Sequence, residues 1–111
     1  MSVKLIKHSE GLVRKISDSY SVLNLLTVNE CSTISLWESR AENHEEISKT
    51  SNDRVYYILE GGIIINDNIS GEKGDVIFIP SNTEYSFKWT FKAILINSPA
   101  FRKENETISK L

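Results

Sequence analysis

The chain has 111 residues, enough for one domain with one core, and its 40% hydrophobic and 25% charged content is that of an ordinary globular protein. A formal net charge of −2 supplies no positive field for nucleic acid, and no basic run points to a membrane surface. Cys31 is the one cysteine, so no disulfide forms within the chain. The opening Met-Ser-Val-Lys-Leu-Ile-Lys-His lacks the apolar core of a signal peptide, and the apolar runs are too short to span a bilayer, so the expected location is cytoplasmic.

Short segments with strand character follow one another between polar turns. Tyr20 to Val28 is apolar with interruptions. After Cys31, read as a small core residue, Thr33 to Glu38 alternates and puts Ile34 and Leu36 on one face. From Ala41 to Asp53 the chain is polar without a clear period, fitting an irregular strand plus loop or a short helix. Arg54 to Glu60 reads as a strand, ended by a turn at Gly61-Gly62. Ile63 to Ile65 is a short buried strand closed by Asn66-Asp67-Asn68. Gly71 and Gly74 bracket a tight loop, and Val76 to Ile79 is a strand that stops at Pro80, which cannot donate to a ladder. Glu84 to Trp89 alternates, placing Tyr85, Phe87 and Trp89 together, and Ala93 to Ile96 is apolar. Residues 102–111 read as a polar tail or short terminal helix. Many short strands without a long helix predict one all-β domain over residues 1–111, a sandwich or barrel with its core in roughly residues 20–100.

From Trp37 to about Phe101 the sequence resembles a small single-domain cupin, of the cupin 2 type. The resemblance rests on two stretches. Tyr56-Tyr-Ile-Leu-Glu-Gly61 matches the strand that ends the first cupin motif. Gly74, five residues, Pro80 and position 85 match the spacing of the second; Asn97-Ser-Pro-Ala-Phe101 resembles an exit strand. The resemblance implies a double-stranded β-helix, the jelly-roll barrel. It also implies a lumen in which three histidines and a glutamate hold a metal. Here those positions depart from the pattern. Tyr85 stands for the second-motif histidine and Arg54 for the glutamate; the paired histidines fall near Ile47 and Lys49. Asn82 replaces a glycine and can take the left-handed conformation.

A transition metal needs three or four convergent donors, and a fixed cation at position 54 repels one. The expectation is therefore no metal at the usual positions and no cofactor, with a divalent metal disfavoured. If Arg54 points inward, strand alternation brings Tyr56 with it; Tyr85 likewise brings Phe87. Trp37 and Lys49 complete an aromatic, cationic pocket for a small molecule, with Arg54 the anchor for an anionic group. The plainer reading makes Trp37, Tyr56 and Phe87 core residues, and pairs Arg54 with a nearby acid. His44 and Tyr85 are the weaker candidates for a catalytic acid–base pair. Whether the chain is an enzyme stays open at this point. The first reading is a small-molecule-binding cupin without the usual metal. The alternatives are a sugar or sugar-phosphate isomerase or epimerase, and a dioxygenase-like metal cupin with non-standard ligands. Val55, Tyr57 and Leu59 present an outward apolar face, and a twofold homodimer is expected to cover it.

Overall fold

A computed structural model describes residues 3–109. The strands, in chain order, are β1 (Leu12–Ser17), β2 (Tyr20–Leu26), β3 (Ser35–Thr50), β4 (Asp53–Ile65), β5 (Ile69–Glu72), β6 (Val76–Ile79), β7 (Glu84–Ser98) and β8 (Glu106–Ser109). Short 3-10 turns at His8–Glu10 and Lys103–Asn105 precede β1 and β8. Every pairing is antiparallel. The order across the sheet is β1-β2-β3-β7-β4-β5, with β6 also on β4 and β8 also on β3. Among the described residues no helix is long and apolar enough to cross a membrane.

The barrel forms because the three long strands bend at one level. β3 and β7 lose register between Ala41 and His44, and β4 and β7 lose it between Ile58 and Glu60. Asn43, Gly61 and Trp89 all have positive φ at this level, at 49°, 75° and 107°. An extra residue in one strand bends it sharply, and three aligned bends fold the sheet onto itself. Each long strand then has two halves with different neighbours. The first half of β3 pairs with β2 and its second half with β8. The first half of β4 pairs with β6 and its second half with β5. Side chains from the two layers meet inside: Tyr56 on the first half of β4 reaches Tyr85 on β7, hydroxyl to hydroxyl, at 2.6 Å. This is the jelly-roll barrel.

Several expectations change. Gly61-Gly62 is a bend within one continuous β4, not a turn ending a strand. A Cβ on Gly61 would stand 2.2 Å from the Thr90 carbonyl oxygen, so only glycine lets the strands approach there. Between Ala41 and Asp53 the irregular strand plus loop is what forms, β3 running to Thr50 with a register shift after Ala41 and a bend at 51–52, and the short helix does not. The inward positions of this stretch are polar (His44, Glu46, Ser48 and Thr50 are buried), so hydrophobic alternation is absent from a segment that alternates in burial. The presumed tail contains β8, which pairs with residues 47–50 of β3. Trp89 does not share a face with Tyr85 and Phe87; the bend turns it outward and leaves it 55% exposed. Cys31 lies outside the core, half-buried beside Thr33. Ile34 and Leu36 do share a side, the outer one, while Ser35 and Trp37 point in. Asn82 does take the left-handed conformation, with φ 61°.

Candidate functional site

The interior carries two hydrogen-bonded clusters on an aromatic wall. Alternation along β4 turns Arg54, Tyr56 and Ile58 inward, and Arg54 is only 2% exposed. Its Nε donates to Asn97 Oδ1 at 2.8 Å, across the β4–β7 pair in which the two residues are directly opposite. Its Nη1 donates to the Tyr85 hydroxyl and to Glu106 Oε2, each at 2.9 Å. Ser48 Oγ donates to the same Glu106 oxygen at 3.1 Å. The guanidinium also lies over the Trp37 and Phe101 rings, 5.3 and 6.0 Å from their centroids. Burial disfavours its charge, but the oxygens of Tyr85, Tyr56 and Glu106 outweigh burial and raise its pKa further, so Arg54 is a fixed cation. Burial likewise lifts the Tyr56 hydroxyl well above the ordinary tyrosine value, with Tyr85 and Tyr20 adding to the effect. Tyr56 is therefore a hydrogen-bond donor at neutral pH.

The second cluster is built on the second half of β3. His44 Nε2 lies 2.8 Å from Glu46 Oε1, and Nδ1 lies 2.7 Å from Ser19 Oγ. Tyr20 stacks on the imidazole, with ring centroids 4.8 Å apart and planes 10° from parallel. Burial pushes the Glu46 carboxyl up to about 8; the Glu106 carboxylate adds to this, while Arg54 and Arg14 oppose it. Near neutral pH the Glu46–His44 pair thus holds a proton that an exposed glutamate would have released. Phe87 separates the clusters: its ring is 5.6 Å from His44, 6.0 Å from Tyr85 and 6.2 Å from Tyr56. On the outside, a groove of about 690 Å³ runs beside the bend. Its lining includes Ser19 and Tyr20, two of the residues that touch His44, together with Lys15, Arg40, Glu60 and Lys92.

Among the sequence candidates, Trp37, Arg54, Tyr56, Tyr85 and Phe87 all point into the barrel. His44 is there too, bonded to Glu46 and separated from Tyr85 by the Phe87 ring. Lys49 is a correction. It stands on the outer face and is exposed, because inward positions of β3 beyond the bend are the even-numbered ones. For the same reason neither Ile47 nor Lys49 occupies a ligand position in the lumen. Sequence reading missed Ser19, Tyr20, Glu46, Asn97 and Glu106. Glu46 carried a usable signal, two residues beyond the one histidine of the polar stretch. Glu106, in the presumed tail, carried none.

The metal that this fold commonly holds does not match these side chains. Among the described residues no three His, Cys, Asp or Glu side chains are grouped to bind a metal ion. Arg54 and Tyr85, which stand where the resemblance places a glutamate and a histidine ligand, are bonded to each other. A guanidinium has no lone pair to give a metal and repels it.

The bent double-layer barrel and its polar interior define a cupin-fold protein. Solved structures of the same fold include Streptomyces PAC13, described as a unique nucleoside dehydratase. It is 16% identical with a TM-score of 0.80, over 99% of this chain and 93% of that one. PAC13 has also been solved with uridine, in variants replacing a tyrosine by phenylalanine or a histidine by glutamine. KdgF from Halomonas sp. is 11% identical with a TM-score of 0.74, over 93% of this chain and 98% of that one. Oxalate decarboxylase from Bacillus subtilis is 14% identical with a TM-score of 0.78, over 96% of this chain and 32% of that one. No family model and no curated protein sequence matches the chain. At such identities the likeness establishes the fold alone.

Proposed function

We propose that this chain binds a small polar molecule inside the barrel, recognised by side chains and not by a metal. The observation that carries this reading is the Arg54–Tyr85–Tyr56 chain of hydrogen bonds beside the His44–Glu46 pair. Buried polar groups in such number are costly unless hydrogen-bonded, and several of these still lack partners that a bound polar molecule would supply. The His44–Glu46 pair favours a second, more specific reading: acid–base catalysis on a sugar-like or nucleoside substrate. Glu46 orients an imidazole that exchanges protons near neutral pH once Ser19 yields its place to a substrate, and the neutral Tyr56 phenol offers a hydrogen-bond donor to a substrate oxygen. Supporting this is the likeness to PAC13, a nucleoside dehydratase solved with uridine, since this interior presents one histidine and the hydroxyls of Tyr20, Tyr56 and Tyr85.

The test is a ligand panel of nucleosides, sugars, sugar phosphates and small carboxylates, read by thermal unfolding. At least one class, with uridine the first to try, is expected to raise the midpoint saturably, and Tyr85→Phe to weaken that response. No saturable shift with any class at millimolar concentration would overturn the binding reading. For the catalytic reading, turnover of the bound compound, followed by mass, is expected to fall about 100-fold or more in His44→Gln; unchanged turnover would refute it. We also propose a twofold dimer through the outer face of β4 and β6. Tyr57, Val76 and Phe78 are exposed there while Val55 and Leu59 are half-buried. Light scattering is expected to give twice the chain mass at micromolar concentration, and a monomer mass would count against it.

A further inference from the structure

The cluster around Arg54 has more donors than acceptors. Arg14 Nη2, Trp37 Nε1, Arg54 Nη2 and Asn97 Nδ2 are all buried without a hydrogen-bond partner among the described residues. All four are N–H donors, and none can accept. They belong to one neighbourhood. Arg54 bonds Asn97, and the guanidiniums of Arg14 and Arg54 lie over the same two rings, Trp37 and Phe101. The Arg14 guanidinium is 5.8 and 5.3 Å from those ring centroids. Buried donors left unpaired are rare in folded proteins, and several in one place mark a missing acceptor.

The acceptor that is present has an unusual origin. Glu106 is the carboxylate bonded to Arg54, and it comes from the first residue of a four-residue strand that, among the described residues, pairs only with the end of β3. A short edge strand held by one neighbour opens more readily than the long strands that hold Arg54 and Asn97. The cationic pair and the donor excess call for a planar anion with two acceptor oxygens, the shape a guanidinium recognises best. A glutamate side chain satisfies one edge of that demand and leaves the rest unmet.

We propose that Arg14, Trp37, Arg54 and Asn97 form a carboxylate-binding subsite, which Glu106 occupies as an internal stand-in until a carboxylate-bearing small molecule replaces it on Arg54. This rests on the reading of the interior as a ligand site and adds its chemical class. The exchange keeps the buried charge balanced, one carboxylate leaving Arg54 as another arrives, with β8 released from β3. The apparent affinity of the unmodified protein is then reduced by the small fraction of molecules in which Glu106 has withdrawn.

Propionate, the side chain of glutamate without its backbone, is the natural probe, and propionamide is its neutral counterpart. Glu106→Gln removes the internal anion while keeping the side-chain shape. This variant is expected to bind propionate with an apparent Kd at least about tenfold lower than the unmodified protein, and to show no comparable response to propionamide. In the unmodified protein, saturating propionate is expected to speed hydrogen exchange at the amides of residues 106–109, a measurement independent of how well the variant folds. The proposal is overturned if a folded Glu106→Gln shows no propionate response beyond that to propionamide. It is equally overturned if inorganic phosphate binds and carboxylates do not, or if exchange at 106–109 is unchanged when propionate is bound. Should propionate fail while a nucleoside or sugar binds, the interior remains a ligand site and only the carboxylate subsite is lost. Should nothing in the panel bind, both readings fall.

Discussion

Arg54→Met is expected to lower the unfolding free energy by about 3–5 kcal/mol, the range for removing one member of a buried ion pair. The methionine fills much the same volume, so the loss comes from what the guanidinium leaves behind. Glu106 would keep a buried negative charge with Ser48 as its remaining hydrogen-bond partner. Asn97 Oδ1 would lose its donor, and Tyr85 its bond to the cation. Combining Arg54→Met with Glu106→Gln removes the stranded charge, so the double variant is expected to be more stable than Arg54→Met alone. Urea unfolding of the three variants measures this as a coupling energy. A loss under about 1 kcal/mol for Arg54→Met, small against that range, would show that the charge is solvated and the network loose. Strictly additive losses would show that Glu106 and Arg54 do not depend on each other.

Stability is expected to fall as pH rises from about 4.5 to about 8, and Glu46→Gln is expected to abolish that share of the fall. The sign follows from proton binding. Unfolded, Glu46 titrates near 4.5; folded, it titrates near 8. Between those values the folded state holds a proton that the unfolded state has released, so raising pH favours unfolding. The contribution is fully present below about 4.5 and is lost as pH passes through 8. The groups that set the shift come from several elements: Glu106 on β8 and burial raise it, and Arg54 on β4 and Arg14 on β1 lower it. His44 contacts Glu46 from the same strand, and Tyr20 on β2 feels the Glu46 charge. A full shift of this kind is worth on the order of a few kcal/mol. Glutamine keeps a donor for His44 without titrating. The variant is therefore expected to match the unmodified protein near pH 5 and to exceed it near pH 9. Thermal unfolding across that interval measures the difference, and parallel curves for the two proteins would mean that Glu46 is already ionised when folded.

Much of the barrel was legible along the chain because stretches of its strands alternate in hydrophobicity and its turns carry Asn, Gly and Pro. The inward set Arg54, Tyr56 and Ile58 follows from period-two alternation once one member is assigned, and the same holds for Tyr85 and Phe87. The segment from Ala41 to Thr50 left strand and helix both open, because alternation is read from apolar residues and its inward positions are His, Glu, Ser and Thr. The position of Lys49 failed for a related reason. Motif spacing that puts ligand positions near Ile47 and Lys49 carries no information about the length of the bend at residues 51–52 between β3 and β4, and a shift of one residue moves a side chain to the opposite face.

Composition and strand periodicity determined by themselves that this chain is a small all-β barrel or sandwich, and the resemblance of its Gly74, Pro80 and Tyr85 spacing to a cupin implied an arginine and a tyrosine where that family has metal ligands. Those are local properties, set within a few residues of each position. Which groups those two residues meet was decided by the tertiary structure alone. Aligned bends in three strands bring Tyr56 to Tyr85 and Tyr20 to His44, and the pairing of β8 with β3 carries Glu106 across 52 positions of sequence to Arg54. Contacts of that separation depend on how a sheet closes on itself, and no local pattern in the chain encodes them.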